Sequence, residues 1–433
     1  MKNLFKKIVI FIITWEARLV LIRYRPKIIA VTGSVGKTST KDAIFTIISK
    51  FKTIRKSEKS FNSEIGLPLA ILGLPNGWND FSVWLENIFR GFWLIVKKNS
   101  YPEYLVLEVG VGKPGDIIKN VIPWLKPDIT VITCFPEKPV HIEFFENVNQ
   151  IIEEKSALAY ATKENGVLIL NHDDEKVYEI HTKSKCRTVS YGLQENATYQ
   201  AIHPVYLKKD IDKMNVISGL NFKIKNGGNT FPVILPNVVG LHYMHSALAA
   251  IACACEVGCD LLDSINAISE YKNPPGRLSI IPGINNSIII DDTYNSSPVA
   301  VDAAIRTLSE MKGERLIAVL GDMLELGKFT EEEHRLVGEK IKDVADVLFV
   351  VGLRAKLIAE GAIDGGFKKE NIYSFDTSVE AGDFLKSFVK PNDILLVKGS
   401  QGIHLERAVV AIMAHPEDKV NLLCRQEKEW QNR

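Results

Sequence analysis

Leu4, Ile8, Phe11, Ile12, Trp15, Leu19 and Ile22 recur at helical spacing, with Lys6, Lys7, Arg18, Arg23 and Arg25 among them, which predicts an N-terminal amphipathic helix over residues 1–26. After Pro26 the pattern changes to short β-branched runs that end in turns and lead into helical segments, the habit of a parallel sheet covered on both faces. Strands are expected at Lys27 to Thr32, Tyr104 to Glu108, Asp128 to Thr133 and Gly166 to Leu170, with a helix from Lys37 to Phe51. Thr198 to Pro236 reads as inserted antiparallel strands, and the Ala-rich stretch Met244 to Val257 as a closing helix. Asn273-Pro-Pro-Gly276 marks a boundary. Beyond it, strands are expected at Ser287 to Asp291, Arg315 to Leu320, Val347 to Val351, Asn371 to Phe375 and Asp393 to Val397. The predicted class is α/β: a parallel-sheet domain over 27–272, then a smaller doubly wound, Rossmann-like domain over 273–433.

Composition narrows the function classes. A length of 433 residues corresponds to about three units of about 150 residues each. With 46% hydrophobic and 24% charged residues the chain is globular, and a net charge of +1 leaves no global field for nucleic acid. Six cysteines without a CxxC pair read as reduced thiols. The first helix resembles a signal peptide only superficially: Glu16 and Arg18 interrupt its apolar run short of a membrane span, and no small-residue cleavage site follows. It either packs on its own domain or lies as a basic helix on the cytoplasmic membrane surface.

The chemistry begins at Ile28-Ile-Ala-Val-Thr32-Gly33-Ser34-Val35-Gly36-Lys37-Thr38-Ser39, a strand, a glycine turn and a helix start. Such a segment cradles phosphate: Gly33 and Gly36 let backbone N–H groups approach, Lys37 reaches the β and γ phosphates, and the Thr38 hydroxyl suits Mg²⁺, so 27–272 reads as a P-loop parallel-sheet ATPase domain. Its first glycine sits two residues closer to Gly36 than in the common GxxxxGK[ST] form. Glu108 ends an apolar strand and so presents a carboxylate at the sheet edge beside this loop, where a metal ion would sit. His141, in the loop after the next strand, and Lys155, on a helix, read on their own as an ordinary loop histidine and an exposed helix lysine.

Ten ordered motifs change that reading. They are Thr32–Thr38, Asn62–Pro68, Glu108-Val-Gly with Pro114-Gly115, His141–Glu143, Glu154-Lys155, Pro275-Gly-Arg277, Asp291–Pro298, Gly321–Gly327, His334–Gly338 and Val397–Ser400. In this order they resemble the Mur ligases, and within that family the branch joining D-alanyl-D-alanine to UDP-N-acetylmuramoyl-tripeptide. The resemblance implies an ATP-dependent amide ligase of peptidoglycan synthesis. A substrate carboxylate attacks the γ-phosphate to give an acyl phosphate, and an amine then displaces phosphate. It implies phosphate contacts from Lys37 and the loop, one Mg²⁺ held by Thr38 and Glu108, and a second held with His141. It also implies a carbamylated Lys155 and nucleotide contacts from Arg277, Asp292 and Asn295.

The departures bear on substrate. Tyr243 and Ser246 stand where the family carries asparagines near the adenine, and Gln401 replaces an arginine. About thirty residues precede the phosphate loop where the family has a UDP-sugar domain of roughly a hundred, which leaves the acceptor carboxylate open. Three readings follow: a muramoyl-peptide ligase, a ligase on another, membrane-presented carboxylate, and a non-catalytic ATP-dependent switch. The expected enzyme is a cytoplasmic monomer with small-molecule partners and no nucleic acid, in possible peripheral membrane contact through residues 1–25.

Overall fold

The computed structural model describes residues 2–58, 61–62, 64–97, 99–139, 142–427 and 430, with side chains from residue 6 onward. The helix α1 (Lys2–Tyr24) leads directly into β1 (Lys27–Thr32), whose residues 28–32 are all buried, and β1 into α2 (Lys37–Ile48). The first sheet continues with β2 (Ile54–Lys56), β3 (Tyr104–Glu108), β4 (Ile129–Ile132), β5 (Val167–Asn171), β6 (Arg187–Gly192), β7 (Tyr199–Ile211), β8 (Met214–Asn226) and β9 (Asn229–Pro236). Among the described residues its order is β2-β3-β1-β4-β5-β6-β7-β8-β9, parallel from β2 through β7 and antiparallel thereafter. β1 lies between β3 and β4, so the chain leaves it in both directions and opens a crevice at its carboxyl end, the standard ligand position of such sheets.

Alternation along β1 builds two cores. Ile29 and Val31 face α2 and the helix Tyr243–Glu256, while Ile28 and Ala30 face α1 and α3 (Gly66–Leu72). The second sheet takes β10 (Ser279–Gly283), β11 (Ser287–Asp292), β12 (Arg315–Gly321), β13 (Val347–Val351), β14 (Ile372–Phe375) and β15 (Asp393–Lys398). Its order is β10-β11-β15-β12-β13-β14, all parallel except the β10 edge. Ile317 and Val319 enter one core and Ala318 and Leu320 the other, so this sheet is covered on both faces as a doubly wound fold requires.

The sequence pattern names a different packing face for α1. Val9, Ile13, Ala17 and Val20 are buried, whereas Ile8, Phe11, Trp15 and Ile22 are exposed. α1 is apolar on two opposite sides, and its inner side packs on α3 and on α4 (Phe81–Val96), a helix the sequence reading did not anticipate. Asp80 starts α4 by accepting from the backbone N–H groups of Ser82 and Val83. Among the described residues, no helix is long and apolar enough to cross a membrane.

Candidate active site

The loop between β1 and α2 owes its shape to two glycines. Gly36 has φ +84°, and a Cβ on Gly33 (φ +139°) would overlap the Thr133 hydroxyl. Thr133, just past β4, donates from Oγ1 to the Val35 carbonyl at 2.6 Å, and the Ser34 N–H donates to the Cys134 carbonyl at 2.9 Å. The Thr32 hydroxyl donates to the Val109 carbonyl at 2.9 Å, tying β1 to the end of β3. Three neighbouring strand ends thus hold one loop.

At the α2 start, Thr38 Oγ1 donates to Glu108 Oε2 at 2.9 Å and Asn62 Nδ2 donates to Glu108 Oε1 at 3.3 Å. Lys41, one turn further along α2 and buried, stands 3.7 Å from Glu108 Oε2. Lys37 Nζ donates to the Ser34 carbonyl at 3.1 Å. Burial holds the pKa of Lys37 below the ordinary lysine range, against the opposing charge of Glu108.

Lys155 lies on α5 (Val148–Tyr160), 3% exposed rather than on the helix surface, and donates from Nζ to Ser34 Oγ at 2.7 Å. Burial, and then the charge of Lys37, push its pKa well below that of a free lysine. The preceding Glu154 accepts from the backbone N–H groups of Gly115, Ile117 and Ile118, fixing the turn after Pro114.

The second sheet closes the crevice. A cavity of about 420 Å³ is lined by Ser34, Val35, Gly36, Lys37, Thr38 and Glu108 from the first sheet and by Arg277, Asn295 and Gln401 from the second. Thr32, Gly33, Ser39, Lys155 and Asp292 are buried and do not line it. Asp292 accepts from Lys398 Nζ at 2.6 Å, and the same ammonium donates to the Asn295 carbonyl at 3.0 Å, so Asp292 shapes the turn from behind. Arg277 lies over the Tyr294 ring at 4.3 Å, and its Nε is buried without a hydrogen-bond partner. An unanswered guanidinium N–H beside a phosphate loop is what an anionic ligand would satisfy. His141 lies outside the described residues.

Residues 92–254 match the Mur ligase middle domain, and residues 276–401 match the Mur ligase glutamate ligase domain. The chain is 31% identical over 393 residues to UDP-N-acetylmuramoyl-tripeptide--D-alanyl-D-alanine ligase of Bacillus subtilis, covering 90% of this chain and 76% of that one. The chain belongs to the Mur ligase family. Against the Escherichia coli ligase of the same name, identity is 27% over 393 residues, with 89% and 76% covered. In fold, this Mur ligase resembles MurF from Acinetobacter baumannii with a TM-score of 0.75, 24% identity and 92% and 79% of the two chains covered. It also resembles MurF from Thermotoga maritima in complex with ADP, with a TM-score of 0.73, 23% identity and 95% and 84% covered.

Within the family frame, the departures have structural consequences. Tyr243 is buried, and its hydroxyl donates to the Arg277 carbonyl at 2.9 Å. Ser246 Oγ lies 3.2 Å from Thr40 Oγ1 at the contact between α2 and its neighbour helix. Both positions serve packing behind the site. Sequence reasoning missed Lys41, Tyr243's hold on Arg277, and Arg425, which donates to the Thr293 and Tyr294 carbonyls. Asn62 and Lys398 sat inside quoted motifs without an assigned part.

Proposed function

We propose that this Mur ligase joins D-alanyl-D-alanine to a muramoyl-peptide carboxylate in peptidoglycan precursor synthesis, with ATP converted to ADP and phosphate. One observation carries the reading: a single cavity of about 420 Å³ unites a phosphate loop with Arg277 and Asn295 of the opposite sheet. Lys37 and the loop N–H groups bind the phosphates, and Arg277 offers its unanswered N–H to the same nucleotide. The acceptor carboxylate attacks the γ-phosphorus with departure of ADP. The amine of the dipeptide then attacks the acyl phosphate and displaces phosphate. The protein's share is orientation and charge stabilisation along both steps.

The donor set suits Mg²⁺, since the Thr38 hydroxyl and the Glu108 carboxylate are hard oxygen donors 2.9 Å apart at the cavity wall. When bound, Mg²⁺ would neutralise phosphate charge. A second ion would be held with His141 and a carbamate on Lys155. The depressed pKa of Lys155 supports this, because only the neutral amine captures CO₂, and the carbamate is an anion where the ammonium would repel a metal. The same reading places the enzyme in the cytoplasm as a monomer, in peripheral contact with the inner face of the membrane through residues 1–25.

Mass spectrometry of products from the purified chain, Mg-ATP, D-alanyl-D-alanine and a panel of muramoyl-peptide acceptors tests it. The expected result is ADP and one new amide in equal amounts, only when both co-substrates are present. ADP release that ignores both, with no amide, would mark a nucleotide switch instead.

A further inference from the structure

α1 and α4 lie side by side on the same face of the first domain. Their contact is close: Glu16 of α1 is buried where a side chain on Gly91 of α4 would otherwise stand, and Tyr24 Oη donates to the Leu94 carbonyl at 3.0 Å. The faces turned away from the domain are apolar on both helices. α1 exposes Ile8, Phe11, Trp15 and Ile22, and α4 exposes Leu85, Phe89, Phe92, Trp93 and Val96. Phe11 is 72% and Phe89 66% exposed, values for side chains that meet solvent rather than a core. Nine large apolar side chains on two adjoining helices exceed what scattered surface residues produce.

Charge decides what covers them. The acid of α1, Glu16, is buried, so the exposed charges of the helix are all positive. By helical position Lys7 and Arg18 border the apolar stripe on one edge and Arg23 on the other. Two copies pressed face to face would bring these cations together. An anionic surface accepts them, and the tryptophans on both helices suit a boundary between water and hydrocarbon. At the edge of the α4 stripe a groove of about 340 Å³ is lined by Phe89, Trp93 and Leu94 with Arg55 and with Arg90, the latter 3.5 Å from the one acid of α4, Glu86; guanidinium groups beside an apolar wall suit a lipid's phosphate headgroup and its acyl chains. α1, at 23 residues and interrupted by Glu16 and Arg18, is suited to lie on the bilayer rather than cross it.

We infer that α1 and α4 together form a platform that seats the enzyme on an anionic lipid bilayer, with α4 contributing as much as α1. This rests on the peripheral membrane contact proposed above for residues 1–25 and enlarges it to a second helix.

Co-sedimentation of the full chain with phosphatidylglycerol-containing and pure phosphatidylcholine vesicles, at low and high salt and without nucleotide, tests the platform. Phe11→Glu and Phe92→Glu replace solvent-exposed side chains on the two helices, and thermal melts check that each variant folds. The expected result is binding to anionic vesicles that falls with salt, with each variant lowering the bound fraction about fivefold or more while ligase turnover in solution is kept. Weakening by Phe11→Glu alone would overturn the two-helix platform and leave contact through residues 1–25 standing. An intact chain that stays in the supernatant with anionic vesicles at low salt, or that forms a dimer abolished by both variants, would overturn both.

Discussion

At the scale of single residues, two buried ionisable groups have consequences that can be measured. Lys155 is 3% exposed beside Ser34, and burial pushes its pKa down, toward the neutral amine that uptake of CO₂ requires. Turnover should fall in CO₂-depleted buffer and return with bicarbonate, and Lys155→Ala should lose about 100-fold in kcat with partial rescue by a short carboxylic acid. Turnover indifferent to CO₂ would show that the reaction needs no carbamate. Glu16, buried between α1 and α4 with Oε2 unpartnered, has its pKa raised by burial from 4.5 to about 7. The folded chain holds this proton more tightly than the unfolded one, so stability is full below pH 4.5 and declines as pH rises through 7. At about 1.4 kcal/mol per unit the decline is about 3 kcal/mol, and Glu16→Gln should flatten it and raise the melting temperature at pH 8. Equal pH slopes for variant and parent would contradict this. The sequence exposed Lys37, Thr38 and Glu108 because their chemistry depends on local spacing. It could not reveal that Lys155 is buried, since the helix 148–160 carries polar residues on most sides and burial is decided by the phosphate loop above it.

At the scale of elements, periodicity located the strands except β2, β6 and β10, because both sheets are mainly parallel and buried on both faces, which leaves nearly continuous apolar runs such as Val347–Val351. For the two helices α1 and α4 the misses share a cause. α1 is apolar on two sides, so its period alone could not choose between Val9, Ile13, Ala17 and Val20 and the exposed Ile8, Phe11, Trp15 and Ile22. α4 carries Trp84 toward the protein and Phe92 away from it, which blurs the polar face by which an amphipathic helix is recognised. The segment around Arg425 carried no motif, yet its guanidinium pairs with buried Glu406 at 2.9 Å and donates to the carbonyls of the turn that presents Asn295. Arg425→Ala should therefore cost about 3 kcal/mol by leaving buried Glu406 with His404 as its remaining partner, and should raise KM for ATP more than it lowers kcat. A variant with unchanged stability and unchanged KM would separate that segment from the nucleotide turn.

At the scale of the whole molecule, the two sheets meet across the cavity, and contacts outside it hold them there. Lys138 reaches from the first domain to Glu332 at 2.9 Å and to Glu333 on the helix Thr330–Ile341, and Asn215 bridges to Lys312 through the backbone. The phosphate loop and Arg277 thus arrive on different sheets, an arrangement suited to a reaction in which a nucleotide and two co-substrates must be enclosed together. In the proposed reaction the acceptor carboxylate itself is phosphorylated before the amide forms. Supplying an acceptor whose carboxylate is labelled with ¹⁸O and analysing the released phosphate by mass spectrometry tests this directly. Attack by the carboxylate on the γ-phosphorus predicts one labelled oxygen in each phosphate released, matched to each amide formed. Amide formation accompanied by unlabelled phosphate would contradict it.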